Sequence, residues 1–586
     1  MKDYNWSLIQ ATQDLGRMFS RPLGLTETSF YYDRIFNGTA DIVWHYGVEQ
    51  TKTTHERHIF SEDNVKRAWA TLKQYYPLLG SRMELKEDGA VVFIVAERSL
   101  SHHQLDEVTF RTIDSAEEVE GLVWHNIRDK PMEDSHITAR AFILQRRDKP
   151  GTYEVLFKAA HAISDGISGA TIARSFFDVL CSPPIRVPAL EKRLAMALPP
   201  EALDPAIKLS SARQKWRRAV GKVIFMNLRR RLAGGHTIPR TINEETYRTP
   251  SRTQRELLCL TATETRRVLD SCRRHKVTFG SVIPVISQMA LTRFLHRRYL
   301  RGDISEEEWE HRRRQPMHYG GPLNLRPHLD EEWQRKGGAS EVCIMIDYYD
   351  CTLPFMPTPF GTRRGAGVPR VDGAPPFSAL LSPARFFYRA KLARQQLARV
   401  VKHPLLLEIA RARQPVYVLR KKRIATHWQA SLKGEPLPEY PELDAMDAAA
   451  PDLCFSGGVS SMTLILPSHY PLPASHPLSI RTPHAQSPEH STADDNLLRT
   501  APVARPQTAA AEDILLRIVD GSNYLHSRPT EFFLANSTAR NHIDLALTYD
   551  ANVYRQEDAE EYLQECREAA LYYLGDYDAG HTMGKL

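Results

Sequence analysis

Cysteine is sparse in this chain of 586 residues. Its seven cysteines (Cys181, Cys259, Cys272, Cys343, Cys351, Cys454 and Cys566) are odd in number, scattered, and never spaced C-x-x-C. That pattern excludes a disulfide framework and a cysteine zinc site, and it points to a reducing, cytoplasmic setting. Long apolar runs are lacking too: no stretch approaches the roughly 20 uninterrupted apolar residues of a membrane span. The opening MKDYNWSLIQ has neither an apolar core nor a small-residue cleavage site, so no secretory leader is expected. G-x-x-x-x-G-K-[ST] and G-x-G-x-x-G are absent, which removes nucleotide hydrolysis and a dinucleotide fold, and no G-x-S-x-G marks a serine hydrolase. The pair His102-His103 has no carboxylate or cysteine at ligand spacing and reads as surface.

Acidic residues are missing from one long stretch and scarce in another. Ser211 to Arg240 holds nine Lys/Arg and no Asp/Glu, and Gly361 to Ile424 holds fifteen against two. The net charge of +7 therefore hides an excess of fifteen acidic charges over the rest of the chain. In the first run, cations alternate with Trp216, Val223, Ile224, Phe225, Met226 and Leu228. A helix of that kind reads first as a solvated connector, with a peripheral membrane contact or a steering surface for phosphates as the alternatives. The second run, Arg385 to Arg423, has helical spacing and the same three readings. No zinc finger, RNA-binding aromatic pattern or helix-turn-helix accompanies the charge, so nucleic acid is not an expected partner.

Length alone suggests roughly three or four domains. The order of elements predicts fewer. Tyr31 to Val48 reads as a strand, and Ser61 caps a helix in which Val65, Trp69 and Leu72 recur, ending at Tyr76-Pro77. Gly89–Glu97 and Tyr153–Ala160 read as strands, and Asp165 to Leu180 as a helix capped by Asp165. Further on, Thr261–His275, Gly280–Arg298 and Glu557–Leu574 are helix-like, while Glu341–Tyr349 and His542–Thr548 are strand-like. Without a regular βαβ beat, the prediction is α+β in two lobes. Residues 1–205 form the first lobe, 206–252 a basic crossover linker and 253–586 the second lobe, with insertions at about 350–425 and 467–511.

The run Tyr153-Glu-Val-Leu-Phe-Lys-Ala-Ala-His161-Ala-Ile-Ser-Asp165-Gly166-Ile-Ser-Gly169 carries the chemistry. A strand delivers His161 at its end, a turn follows, and Asp165-Gly166 opens a helix. An imidazole fixed at a sheet terminus and titrating near neutrality can act as a general base toward a hydroxyl or amine. Gly166 and Gly169 suit close backbone approach.

These residues resemble the H-x-x-x-D-G motif of the CoA-dependent acyltransferase superfamily. That group includes fungal alcohol and trichothecene acetyltransferases, plant acyltransferases, chloramphenicol acetyltransferase and peptide-synthetase condensation domains. Further landmarks arrive in the family's order: Val65 to Arg82, with its Tyr-Pro77-Leu-Leu-Gly80-Ser-Arg82 ending; Gly321-Pro-Leu-Asn324-Leu-Arg326-Pro; Phe455-Ser456-Gly457-Gly458-Val-Ser460-Ser461; and Leu545 to Leu574. The resemblance implies two chloramphenicol-acetyltransferase-like lobes with a tunnel between them, and acyl-CoA as co-substrate with no bound cofactor and no metal. It implies direct transfer of an acetyl or fatty acyl group to a hydroxyl acceptor, with His161 as base. Asp165, paired with Arg326, would be structural, with helix capping as its other role. Ser456, Gly457, Gly458 and Ser460 would supply an oxyanion or substrate loop.

Two departures bear on the subgroup. Ala160 stands where many relatives have a first histidine, and the plant D-F-G-W-G is absent. The ending Gly584-Lys585-Leu586 resembles the peroxisomal S-K-L address, the alternative to a cytoplasmic location. Length and tail together resemble the fungal glycolipid acyltransferases that acylate mannosylerythritol. The expected product is a secondary metabolite or glycolipid ester made by a monomer. The alternatives are a condensation-type catalyst fed by a carrier-protein thioester and an inactive scaffold.

Overall fold

The computed structural model describes residues 4–12, 15–51, 59–102, 106–129, 137–232, 234–235, 237–243, 245–358, 370–438, 465–481 and 514–575, together with the backbone of 453–459. Its strands form three sheets. The smallest, in the order β1-β2-β5-β4, joins β1 (Ser7–Thr12), β2 (Gly16–Pro22), β4 (Ser81–Leu85) and β5 (Val91–Ala96). The first lobe is built on the order β13-β14-β3-β8-β7-β6. These are His469–Tyr470, Leu516–Leu525, Ile42–Gln50, Thr152–Ala159, Ala139–Arg146 and Val108–Ile113. The second lobe is built on β11-β10-β12-β15-β16-β9, that is Ile346–Leu353, Met317–Asn324, Leu453–Val459, Phe532–Ala539, His542–Asp550 and Thr253–Cys259. Mixed sheets with helices packed against them make the chain α+β, in two lobes.

Helices pack with these sheets, among them α1 (Leu25–Ile35), α2 (Glu62–Tyr75), α3 (Gly166–Leu180), α4 (Ser211–Arg231), α5 (Phe279–Arg301), α6 (Pro383–Val401), α7 (Leu406–Lys433) and α8 (Gln556–Ala570). α2 starts where its cap predicts, with Asn64 N–H donating to Ser61 Oγ. Its Val65, Trp69 and Leu72 join the first lobe's core with Phe157 and Phe176. In the second lobe, α5 and α8 pack together. Their contact is polar as well as apolar: Arg293 donates to Glu565 at 2.8 Å and Arg297 to Glu565 at 2.6 Å.

Two predicted elements change. The strand expected from Tyr31 begins only at Ile42, because residues 25–35 are helical. Glu27 accepts the Gly24 N–H at 2.7 Å and starts the helix, and a turn with positive φ at Asn37, Gly38 and Ala40 separates it from β3. The strand expected from Glu341 begins at Ile346. Residues 341–345 leave the second lobe's sheet to bond with α3 of the first, and Val342 to Ile346 join the first lobe's core.

The second half of the chain also lends the first lobe a strand. β14 lies beyond the boundary drawn at residue 253, yet it pairs antiparallel with β3 from Leu516↔Gln50 to Leu525↔Ile42. The basic segments are helical, as their spacing predicts: α4 packs on α7, and α7 packs on α1. Among the described residues no single helix is long and apolar enough to cross a membrane.

Candidate active site

His161 leaves the end of β8 in a single 3-10 turn, His161–Ile163, closed by Ile163 N–H on Ala160 O at 3.1 Å. Its Nδ1 lies 2.7 Å from Ser164 O. A carbonyl only accepts, so Nδ1 carries the proton and Nε2 is left with a lone pair. Burial, reinforced by the nearby Arg528 charge, lowers the imidazole to about 4, so the ring is neutral at physiological pH. One face of the ring stacks on Phe30, with centroids 4.0 Å apart.

The turn is held from behind. Asp165 caps α3, accepting Ser168 N–H at 2.9 Å on one oxygen. Its other oxygen accepts Arg326 Nη1 at 2.8 Å and Met345 N–H at 2.9 Å. Arg326 Nη2 continues to Cys343 O at 2.8 Å and Glu341 O at 3.2 Å. Asp165 is thus both helix cap and ion-pair partner. Both side chains of the pair are 3% exposed and neither lines the cavity that His161 faces, so the pair joins the two lobes without entering the reaction space. Burial acts to raise the Asp165 carboxyl, but the Arg326 charge and the three hydrogen bonds outweigh it and hold the group below its ordinary value.

The glycines of the motif divide. A Cβ at Gly166 would meet nothing within 4 Å, so crowding does not require that glycine, contrary to the sequence reading. A Cβ at Gly169 would fall 2.1 Å from the Trp44 ring. Gly169 therefore lets α3 lie against β3.

His161 opens into a cavity of about 360 Å³ between the lobes. Apolar and aromatic side chains dominate its wall, among them Phe36, Ile346, Tyr348, Leu525 and Phe532. The sequence offered little warning of the charged groups behind Phe30. Asp33 accepts Lys421 Nζ at 2.6 Å and Arg528 Nη2 at 2.8 Å. Lys421 Nζ sits 4.5 Å from the Phe30 centroid, and the Arg528 guanidinium 5.4 Å from it. Phe30 is therefore held between a neutral imidazole and two cations. Burial raises the Asp33 carboxyl, and the charges of Arg528 and Lys421 more than reverse that. Burial lowers Lys421 to about 8 despite Asp33.

The predicted oxyanion loop falls partly in β12. Ser456, Gly457 and Gly458 pair in parallel with Leu534, Ala535 and Asn536 of β15, and Ser460 lies outside the described residues, as does Gly584-Lys585-Leu586. Among the described residues no three His, Cys, Asp or Glu side chains are grouped to hold a metal ion. Phe30 and Asp33 went unnoticed because an aromatic run was read as strand. Lys421 lies in the basic run for which a connector, a membrane contact and phosphate steering all stood open, although Ile409, Ala410, Arg413, Gln414 and Ala425 mark a buried face of α7. Arg528 carries no local signal.

The chain has the two-lobed, chloramphenicol-acetyltransferase-like fold shared by CoA-dependent acyltransferases and condensation domains. It is similar to the trichothecene 15-O-acetyltransferase of Fusarium sporotrichioides, with TM-score 0.64 and 11% identity over 97% of this chain and 98% of that one. It is also similar to the starter condensation domain of rhizomide synthetase, with TM-score 0.52, 8% identity and 95% of each chain covered. The first condensation domain of the calcium-dependent antibiotic synthetase gives TM-score 0.51 and 11% identity over 95% of this chain and 96% of that one. At these identities the likeness establishes fold alone. No protein-family model and no curated protein sequence matches the chain.

Proposed function

We propose that this protein is an acyl-CoA-dependent O-acyltransferase in which His161 is the general base. The observation that carries the reading is the imidazole's state: neutral, with Nδ1–H committed to Ser164 O and the Nε2 lone pair left over, beside a largely apolar cavity between the lobes. An acceptor hydroxyl gives its proton to Nε2 as its oxygen bonds to the thioester carbonyl carbon. The tetrahedral oxyanion then collapses, the C–S bond breaks, and the thiolate takes the proton from the imidazolium to leave as free CoA. No covalent acyl-enzyme is required. Gly457 and Gly458 remain the proposed backbone donors to the oxyanion, with Ser456 and Ser460 as hydroxyl donors. The rhizomide domain, similar in fold, was solved with C8-CoA, which accords with a free CoA ester as donor.

The test incubates the purified full chain with acetyl- to decanoyl-CoA and a panel of alcohols and sugars, reading thiol release and ester formation by mass. Turnover that falls on the order of 10²–10⁴-fold in His161→Ala fits the proposal. Unchanged turnover in that variant removes His161 as base. Turnover only with a thioester loaded on a carrier protein moves the assignment to condensation-type chemistry.

A further inference from the structure

Helix α4 turns apolar side chains in two opposite directions. On one side Phe225 and Leu228 line the cavity beside His161, joined by Leu232 just past the helix end. That side is fastened to α7: Gly221 lets the helix lie against Glu408, Arg217 pairs with Glu408, and Arg217 Nη2 also donates to Pro404 O at 2.6 Å. The other side faces outward. Ala212, Trp216, Ala219, Val223 and Met226 follow one another at steps of three or four residues, which aligns them in one row along the helix. All five are exposed, Trp216 at 64%, Val223 at 57% and Met226 at 46%. At 3.6 residues per turn, Lys215 and Lys222 border this row on one side and Arg213 and Arg231 on the other, while Arg230 closes its C-terminal end. These cations are exposed as well, and no Asp or Glu occurs from Ser211 to Arg240. Among the described residues, none of the five is paired with a carboxylate.

We propose that the outward side of α4 docks this protein on an anionic lipid bilayer, with Trp216, Val223 and Met226 entering the headgroup–acyl boundary and the five bordering cations reaching the lipid phosphates. In water the apolar row stays wetted and the like charges beside it repel one another. An anionic bilayer relieves both, because its negative groups lie in a layer directly above its apolar interior. Lysine and arginine stems lie along the acyl region while their heads reach outward to the phosphates, and tryptophan is favoured at the same depth. A flat, fluid interface meets both charged borders of the row at once. The proposal goes beyond the acyltransferase reading and does not need it. A bilayer on this side of α4 is separated from the cavity beside His161 by little more than the width of one helix, about 10–12 Å.

The test is co-sedimentation of the full-length protein with extruded vesicles, either phosphatidylcholine alone or phosphatidylcholine with phosphatidylserine at about 3:1. The expected result is partitioning about tenfold or more stronger on the mixed vesicles, weakening as salt rises. Lys215→Gln combined with Lys222→Gln is expected to lower partitioning on mixed vesicles on the order of 25-fold, at about fivefold for each cation. Trp216→Ser combined with Met226→Ser is expected to lower it about tenfold or more. Thermal melting verifies that both variants are folded; should the serine pair lose its cooperative transition, the lysine pair carries the test.

Equal partitioning on the two kinds of vesicle, no partitioning on either, or unchanged partitioning in a folded variant overturns the proposal. Sedimentation equilibrium without lipid can overturn it too: a dimer that the serine pair dissociates assigns this side of α4 to a second copy of the chain. Vesicle binding is read without turnover, so the two readings fail separately. Full turnover in His161→Ala defeats the base assignment and leaves the bilayer result untouched, whereas failure to bind vesicles defeats only the docking surface.

Discussion

Single residues set the protonation and the orientation of the proposed base. Because burial and then the Arg528 charge hold the imidazole at about 4 in the folded protein, the acid limb of kcat/KM is expected near that value rather than near the ordinary 6.5. Replacing Arg528 with Gln removes the second influence and is expected to move that limb upward; an unmoved limb in a pH–rate profile argues against the coupling. The same shift is a stability statement. A histidine whose folded value is depressed contributes nothing to pH dependence above about 6.5, and it costs stability as pH falls from there toward about 4, where the unfolded chain binds a proton that the folded chain resists.

Asp165 acts lower down. Its depressed carboxyl contributes stability that is full above its unfolded value, near 3.8, and is lost as pH falls through the still lower folded value. Arg326→Ala strands that carboxylate in a buried site. It is expected to cost about 3–5 kcal/mol, read as a lowered denaturant midpoint, with most of the loss recovered when Asp165→Asn is added.

At the scale of elements, close packing of backbone decides what can change. In Gly169→Ala the methyl group meets the Trp44 ring, which is 4% exposed and part of the core. About 1–3 kcal/mol of destabilisation is expected, measured by urea unfolding, and Gly166→Ala beside it is expected to be nearly neutral. Gly221 plays the corresponding part between α4 and α7, since a Cβ there falls 2.7 Å from Glu408 Cβ and 2.9 Å from its carbonyl carbon. Gly221→Leu is therefore expected to push the two inserted helices apart. The readout is a lowered urea midpoint relative to the unsubstituted chain.

Element by element, the sequence was legible where local rules and tertiary demands agree. Ser61 and Asp165 cap the helices their spacing predicts, and the β8–turn–α3 unit around His161 needed only a strand pattern and a capping residue to be seen. It was illegible where a segment answers to the other lobe. Residues 341–345 look like more of β11 because their alternation is real, but Met345 and Cys343 spend their backbone groups on Asp165 and Ser168 instead. No local pattern ties Lys421 to the site because its partner, Asp33, is 388 residues away in sequence.

For the whole molecule, the lending of β14 and of residues 341–345 to the first lobe means that this lobe is not complete on its own. The first lobe's core contains Trp333, Cys343, Met345 and Leu516 from beyond residue 253, and its buried strand β3 takes β14 as a neighbour. Residues 1–205 expressed alone are expected to be insoluble or to lack cooperative unfolding, while the full chain unfolds with lobe-crossing probes in step. Soluble, cooperatively melting 1–205 material contradicts this. The polarised charge acts on the same scale. Both basic stretches supply helices that line the cavity, Arg229 and Arg240 from the first and Arg413, Arg420 and Lys421 from the second, while most of their other cations stay at the surface.

The late arrival of β14 has a consequence for how the protein is made. Until residues 516–525 leave the ribosome, β3 has one unpaired edge, although residues 42–48 are buried in the finished sheet. At about 5–20 residues per second, the wait between the synthesis of β3 and that of its partner is on the order of tens of seconds. For that time the nascent first lobe presents an open strand edge, and slower translation lengthens the exposure in proportion.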